Sequence, residues 1–212
     1  MDLLRTEPDG DTLATLVLAH GAGAAMDSPW MDDIAGRLAA RGVATVRFEF
    51  GYMAARRTGG RRPPPRAETL VDEYRDVVAA LDAAARPLLI GGKSMGGRVA
   101  SLVADDLRAE GSVSGLVCLG YPFHPPAKPE RPRTAHLADL TTPTLICQGE
   151  RDPFGGPDDV AGYDLSPAIE VRWFADGDHD LRPRVKVSGH RFAEHLDACA
   201  DAVSAFARRL AA

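Results

Sequence analysis

The chain reads as an α/β protein built on a doubly wound, mostly parallel sheet, and three observations predict it. Six short apolar runs lack the in–out alternation of a half-exposed sheet, as expected of strands covered on both faces. Segments whose apolar residues recur at helical spacing lie between those runs. Glycine and proline punctuate the boundaries, and strand–helix alternation of this kind closes through right-handed βαβ crossovers.

The first predicted strand is residues 13–19 (LATLVLA). Ser28 then supplies a helix cap with Pro29 at the first helical position, and Trp30, Ile34 and Leu38 share one face. Arg41 and Gly42 give that helix a basic last turn and a glycine stop. Residues 43–48 (VATVRF) form the second strand. Residues 56–66 (RRTGGRRPPPR) are too rich in Gly and Pro for a helix or a central strand and read as a loop. Leu70, Val71, Tyr74, Val77, Val78 and Leu81 make the next helical stripe. The strand at residues 88–90 runs into a glycine-rich turn, and Val99, Leu102, Val103 and Leu107 mark the helix beyond it. Strands at residues 115–119, 144–147 and 169–174 follow. Between the first two, residues 121–132 carry five prolines and read as a second loop. Phe192, Leu196, Cys199, Val203, Phe206 and Leu210 stripe the last helix.

With 212 residues, 45% hydrophobic and 26% charged, the chain has ample apolar material for one globular domain spanning residues 1–212. A disulfide-stapled module and a disordered chain are both excluded. The net charge of -5 argues against nucleic acid as a partner, which needs a basic field. Cys118, Cys147 and Cys199 show no metal-ligand spacing and read as free thiols of a reducing compartment. The first residues lack the basic and apolar regions of a signal peptide, and no apolar run would span a bilayer. The expectation is a cytoplasmic protein without a membrane partner, with its oligomeric state left open.

The chemistry is concentrated after the strand at residues 88–90. Gly92-Lys93-Ser94-Met95-Gly96 fits G-x-S-x-G, a motif whose context is strand, sharp turn and helix. Small residues on either side let strand and helix pass closely while the serine backbone is forced into a strained conformation. Ser94 would then project from the C-terminal edge of the sheet, over a helix N-terminus that favours negative charge. A phosphate-binding P-loop needs a glycine where this chain has Pro87, and its residues 88–90 are strand-like.

A serine hydroxyl attacks only when a base takes its proton and an acid orients that base. Behind a nucleophile of this kind the acid and then the base follow later in the chain. Asp152 lies just beyond the strand at residues 144–147, and His179 lies beyond the strand at residues 169–174. Glu150 and Asp180 compete with Asp152 for the acid's role. Asp152-Pro153 also has the form of a turn starter. Residues 176–180 (DGDHD) begin like a calcium loop, but Leu181 and Val187 occupy the positions that need Gly and Glu, so no metal is expected. For the oxyanion, the backbone N–H of Met95 is one donor and that of Ala22 the other, with Gly23 as substitute. His20 precedes this order and is expected to shape the loop.

Taken together, residues 20–23 (HGAG), 92–98 (GKSMGGR), 149–154 (GERDPF) and 176–181 (DGDHDL) resemble the α/β-hydrolase superfamily. Within it, the chain resembles a small lidless group related to dienelactone hydrolases. That group also supplies the hydrolase-like domain of a nonspecific-lethal chromatin complex subunit and of a testis-expressed relative. The likeness covers almost the whole chain, including residues 47–50 (RFEF) with Tyr52 and Met53. It implies Ser94 as nucleophile, Asp152 as acid and His179 as base. Dienelactone hydrolases proper use cysteine, so their substrate is not carried across. The implied function is hydrolysis of a small ester or thioester through an acyl-enzyme, with no metal or organic cofactor. Alternatives are acyl transfer or perhydrolysis by the same residues, or a noncatalytic interaction module.

Met26, Trp30, Met53, Tyr121, Phe123 and Phe154 are expected in loops near this edge, as acyl-pocket walls or as ordinary packing. Arg56, Arg57, Arg61, Arg62 and Arg66 follow the second strand and raise the choice between an anionic substrate and a solvated basic loop. Only residues 120–143 separate the strands at 115–119 and 144–147, which leaves no length for a helical lid and predicts an open site without interfacial activation.

Overall fold

The computed structural model describes residues 2–60, 63–81 and 87–211. Seven strands form one sheet: β1 (Leu3–Thr6), β2 (Ala14–Ala19), β3 (Val43–Phe48), β4 (Leu88–Lys93), β5 (Gly115–Leu119), β6 (Thr144–Gly149) and β7 (Ile169–Phe174). Their order is β1-β3-β2-β4-β5-β6-β7, with β1 antiparallel to β3 and every other pair parallel. The helices are α1 (Pro29–Ala39), α2 (Gly51–Arg57), α3 (Val71–Ala79), α4 (Met95–Ala109), the short α5 (Pro157–Val160) and α6 (Val185–Ser188), and α7 (Phe192–Ala211).

The apolar runs are continuous because each strand serves two cores. Leu16, Leu18, Leu89, Val117, Leu145 and Cys147 point to one side, where Met31, Ile34 and Leu38 of α1 meet Leu196, Cys199 and Val203 of α7. Val17, Ala19, Ile90, Leu116, Cys118 and Ile146 point to the other, against Tyr74 and Val77 of α3 and Val99 and Val103 of α4. β7 differs: its outer residues alternate between exposed and half-buried, as an edge strand does. The three cysteines are buried and free.

The strands β1, β4 and β6 and the helix α2 depart from the sequence reading. β1 lies in residues that carry no apolar run and gains its place by pairing with β3. Arg56 and Arg57 end a helix rather than begin a loop, and Met53 is buried inside that helix rather than placed in a loop. β4 and β6 run to Lys93 and Gly149, past the apolar residues that mark them in the sequence.

The chain leaves β2 for β3 on one side and returns to β4 on the other, so the crossovers diverge at the C-terminal ends of β2 and β4. Such a switch point opens a crevice at the sheet edge. Between β5 and β6 the only helical turn is the 3-10 segment Ala135–Leu137, so no helical cap stands there.

Candidate active site

Ser94 links β4 to α4 with φ 52° and ψ −116°, a left-handed conformation rare for a residue with a Cβ. The flanking glycines make room for it. A Cβ on Gly92 would lie 2.4 Å from the Gly96 carbonyl carbon, and one on Gly96 would lie 2.6 Å from the Ala19 and His20 oxygens. Strand, turn and the β2 loop therefore cross at distances only glycine permits.

His179 Nε2 lies 2.8 Å from Ser94 Oγ, and His179 Nδ1 lies 2.8 Å from Asp152 Oδ2. A carboxylate only accepts, so Nδ1 carries the proton and Nε2 is left to accept from the serine. Asp152 is fully enclosed while the imidazole is partly exposed. The Asp152 carboxylate also accepts from Gln148 Nε2 at 2.9 Å and from the Phe154 N–H at 2.9 Å. Gln148 is itself pinned: its Oε1 accepts from the Tyr121 N–H at 2.7 Å, and its Nε2 also donates to the Tyr121 and Gly155 carbonyls.

The competing carboxylates are engaged elsewhere. Glu150 accepts from the Asp176 N–H, and Asp178 accepts from the Asp180 and Arg182 N–H groups. Asp180 pairs with Lys93 at 3.2 Å. Asp176 is clamped by Arg151 and Arg184, and the Arg184 hydrogen bond pulls its carboxyl well below the usual carboxylate range. These contacts shape the loop that carries His179.

Lys93, the variable residue before the serine, is buried beneath that loop. Its Nζ donates to the His179 carbonyl at 2.8 Å and sits 5.6 Å from the centre of the Trp30 ring, whose Nε1 donates to the Asp180 carbonyl at 3.0 Å. Gly120, with φ +70°, leaves space for this contact, since a Cβ there would lie 2.8 Å from the His179 oxygen. Neither Lys93 nor Gln148 has a signal in the sequence beyond its place beside the serine or the acid.

Ala22 and Met95 line the same crevice as Ser94, and the backbone N–H of neither donates a hydrogen bond among the described residues. His20 shapes the Ala22 loop: its Nδ1 donates to the Gly21 carbonyl at 2.6 Å and its Nε2 accepts from the Phe50 N–H at 3.2 Å. Burial holds its pKa below the ordinary histidine value, in keeping with a neutral ring. Tyr52 adds a hydrogen bond from its hydroxyl to the Ala22 carbonyl at 3.1 Å.

The cleft over Ser94 has a volume of about 680 Å³. Its walls come from the proline-rich segments on either side, Pro64–Glu68 and Pro122–Arg133. Of the six side chains expected around an acyl pocket, Phe154 lines the cleft, its ring 4.4 Å from that of His179. Tyr121, Phe123 and Met53 are core residues; Met26 and Trp30 are held by backbone and ring contacts outside it. The basic segment also divides. Arg57 forks onto Glu49 at 2.7 and 2.8 Å, Arg56 stacks over Tyr52, Arg66 lines the cleft, and Arg61 and Arg62 lie outside the described residues. Among the described residues no group of His, Cys, Asp or Glu could hold a metal ion, and no helix is long and apolar enough to cross a membrane.

Comparison with solved structures gives the same fold. A serine hydrolase without lid from Xanthomonas campestris superposes with a TM-score of 0.71 at 21% identity, covering 98% of this chain and 88% of that one. A dienelactone hydrolase from Anabaena variabilis gives 0.67 at 22% identity, covering 96% and 89%. A serine hydrolase homologue from Coxiella burnetii gives 0.65 at 18% identity, covering 99% and 91%. Residues 12–208 match the family model described as alpha/beta hydrolase domain, and the chain belongs to that α/β-hydrolase family.

Proposed function

We propose that the protein is a serine hydrolase that cleaves a small ester or thioester through an acyl-enzyme. The observation that carries this reading is the unbroken relay from Asp152 Oδ2 through His179 to Ser94 Oγ, with 2.8 Å at each step. As Ser94 Oγ bonds to the substrate carbonyl carbon, its proton passes to His179 Nε2, and Asp152 steadies the imidazolium. Negative charge gathers on the carbonyl oxygen, which accepts hydrogen bonds from the backbone N–H groups of Ala22 and Met95. The leaving oxygen or sulfur takes the proton from His179 as its bond to carbon breaks. Water then repeats the sequence at the acyl carbon, releasing the acid and restoring Ser94.

Two further features support this reading. The strained Ser94 backbone has no purpose in packing, since a glycine would hold the same turn without strain. The absence of a helical cap between β5 and β6 suits small or accessible acyl substrates. Labelling with a fluorophosphonate tests the assignment: a covalent adduct on Ser94 is expected, absent in Ser94→Ala and in heat-unfolded protein. Folded protein that takes no adduct at Ser94 would count against catalysis.

A further inference from the structure

The cleft holding Ser94 is walled by arginines. Arg66, Arg98, Arg131 and Arg133 line it, and among the described residues Glu68 is the one carboxylate beside them. Glu68 is already committed to Arg98 at 2.5 Å and lies 3.7 Å from Arg66. The guanidinium groups of Arg131 and Arg133 make no hydrogen bond or ion pair among the described residues. Arg133 is only half exposed, and a partly desolvated cation beside other cations is costly unless an anion joins it.

The neighbours register this field. Burial and, next to it, Arg98 hold the Arg133 guanidinium below its ordinary pKa. Burial and then Arg98 also bring His136 down to about 4. Arg98 stands four residues along from Ser94, a rise of roughly 6 Å, and Arg98, Arg131 and Arg133 line the same cleft as the serine.

We infer that the cleft selects esters whose acyl chain ends in an anionic group. Arg98, Arg131 and Arg133 receive that group while the scissile carbonyl lies over Ser94. This rests on the hydrolase reading and narrows it. Guanidinium forks suit either a carboxylate or a phosphate oxygen pair. The arginines that carry the inference are Arg98, Arg131 and Arg133, which lie outside the basic segment at residues 56–66.

The test compares monomethyl adipate with methyl hexanoate by titrating the acid released. At low salt the wild type is expected to favour the adipate at least tenfold in kcat/KM, and the preference should shrink in 0.5 M salt. In Arg131→Gln/Arg133→Gln the preference should fall at least tenfold, whereas Arg209→Gln, paired with Glu170 far from the cleft, should keep it. A wild-type preference of one or less, or one that survives the double substitution, overturns the inference and leaves the hydrolase reading intact.

A second arm needs no turnover. Adipate or 4-phosphonobutyrate, unlike hexanamide, should slow fluorophosphonate labelling of Ser94, and the stronger protector identifies the preferred anion. Labelling that neither anion slows overturns the inference. Folded protein with neither labelling nor turnover overturns the hydrolase reading, and the inference with it.

Discussion

Lys93 Nζ donates to the backbone carbonyl of His179 at 2.8 Å, so the residue preceding the proposed nucleophile holds the loop that carries the proposed base. The same ammonium pairs with Asp180 at 3.2 Å, and burial pulls it below the usual lysine value while Asp180 opposes that shift. β4 thereby positions both partners of the proposed proton transfer, Ser94 by its terminal turn and His179 by the Lys93 side chain.

Replacing Lys93 by Met separates positioning from packing. Asp180 is more than half exposed and returns to water, so removing the cation leaves no buried charge unpaired. The unfolding free energy should change by no more than about 1–2 kcal/mol, mainly for the donor lost at the His179 carbonyl. By contrast, kcat should fall roughly 10- to 100-fold, since displacements near 1 Å at a reacting group have that effect. KM should stay within about threefold. Steady-state kinetics beside urea unfolding checks this; a kcat within about twofold of wild type would show that Lys93 is a packing residue alone.

The carboxylate assignment makes a sharper comparison. Asn at position 152 would offer His179 an amide in place of a pure acceptor, disturbing the tautomer that leaves Nε2 free. Asp152→Asn should lower kcat by about three to four orders of magnitude. Glu150→Gln, whose carboxylate accepts from the Asp176 N–H and from no other group among the described residues, should cost less than about fivefold. Equal losses in the two variants would move the acid's role away from Asp152.

These residues differ in how far they could be read from sequence, and the reason is physical. Ser94, Asp152 and His179 were legible because each stands just beyond an apolar run, and parallel strands carry their C-terminal ends to one edge. Lys93 was not, because its partner lies 86 residues away and the pairing depends on how the two loops cross. Gln148 is buried at the end of β6 and resembles any polar strand end until Tyr121 folds back onto it. The cleft arginines were half legible. Arginine was expected near the site from residues 56–66, but Arg57 serves Glu49, and Arg98, Arg131 and Arg133 come from α4 and the proline-rich segment instead. β1 carried no signal because an edge strand of four residues is set by its partner rather than its own pattern.

Gly149 is where the loops bearing Asp152 and His179 pass each other. A Cβ there would lie 2.3 Å from the Asp178 oxygen and 2.4 Å from the Gly177 oxygen, both backbone atoms that cannot swing aside. Gly149→Ala should lose roughly 1–3 kcal/mol, lowering Tm by several degrees, and should reduce kcat by displacing His179. Gly36→Ala is the counterpart: it lies within α1, nothing stands within 4 Å of the added methyl, and the change should stabilise by about 0.5–1 kcal/mol. Thermal unfolding of both variants checks the pair, and a benign Gly149→Ala would mean the loops can separate without cost.

The acid limb of stability should report on the arginine cluster. His136 Nε2 lies 2.8 Å from Ser101 Oγ, and burial with Arg98 nearby lowers its pKa from 6.5 to about 4. Between those values the unfolded chain binds the proton and the folded chain does not, so stability is full above pH 6.5 and drains as pH falls towards 4. His136→Gln keeps a polar partner for Ser101 and removes the titration. Between pH 7.5 and 4.5 the wild type should lose roughly 1–2 kcal/mol more than the variant, a figure reduced for solvent screening of a partly exposed ring. Urea unfolding of both proteins at the two pH values measures the difference. Parallel losses would mean that His136 takes its proton in the folded state as readily as in the unfolded one, and that Arg98 exerts little field there.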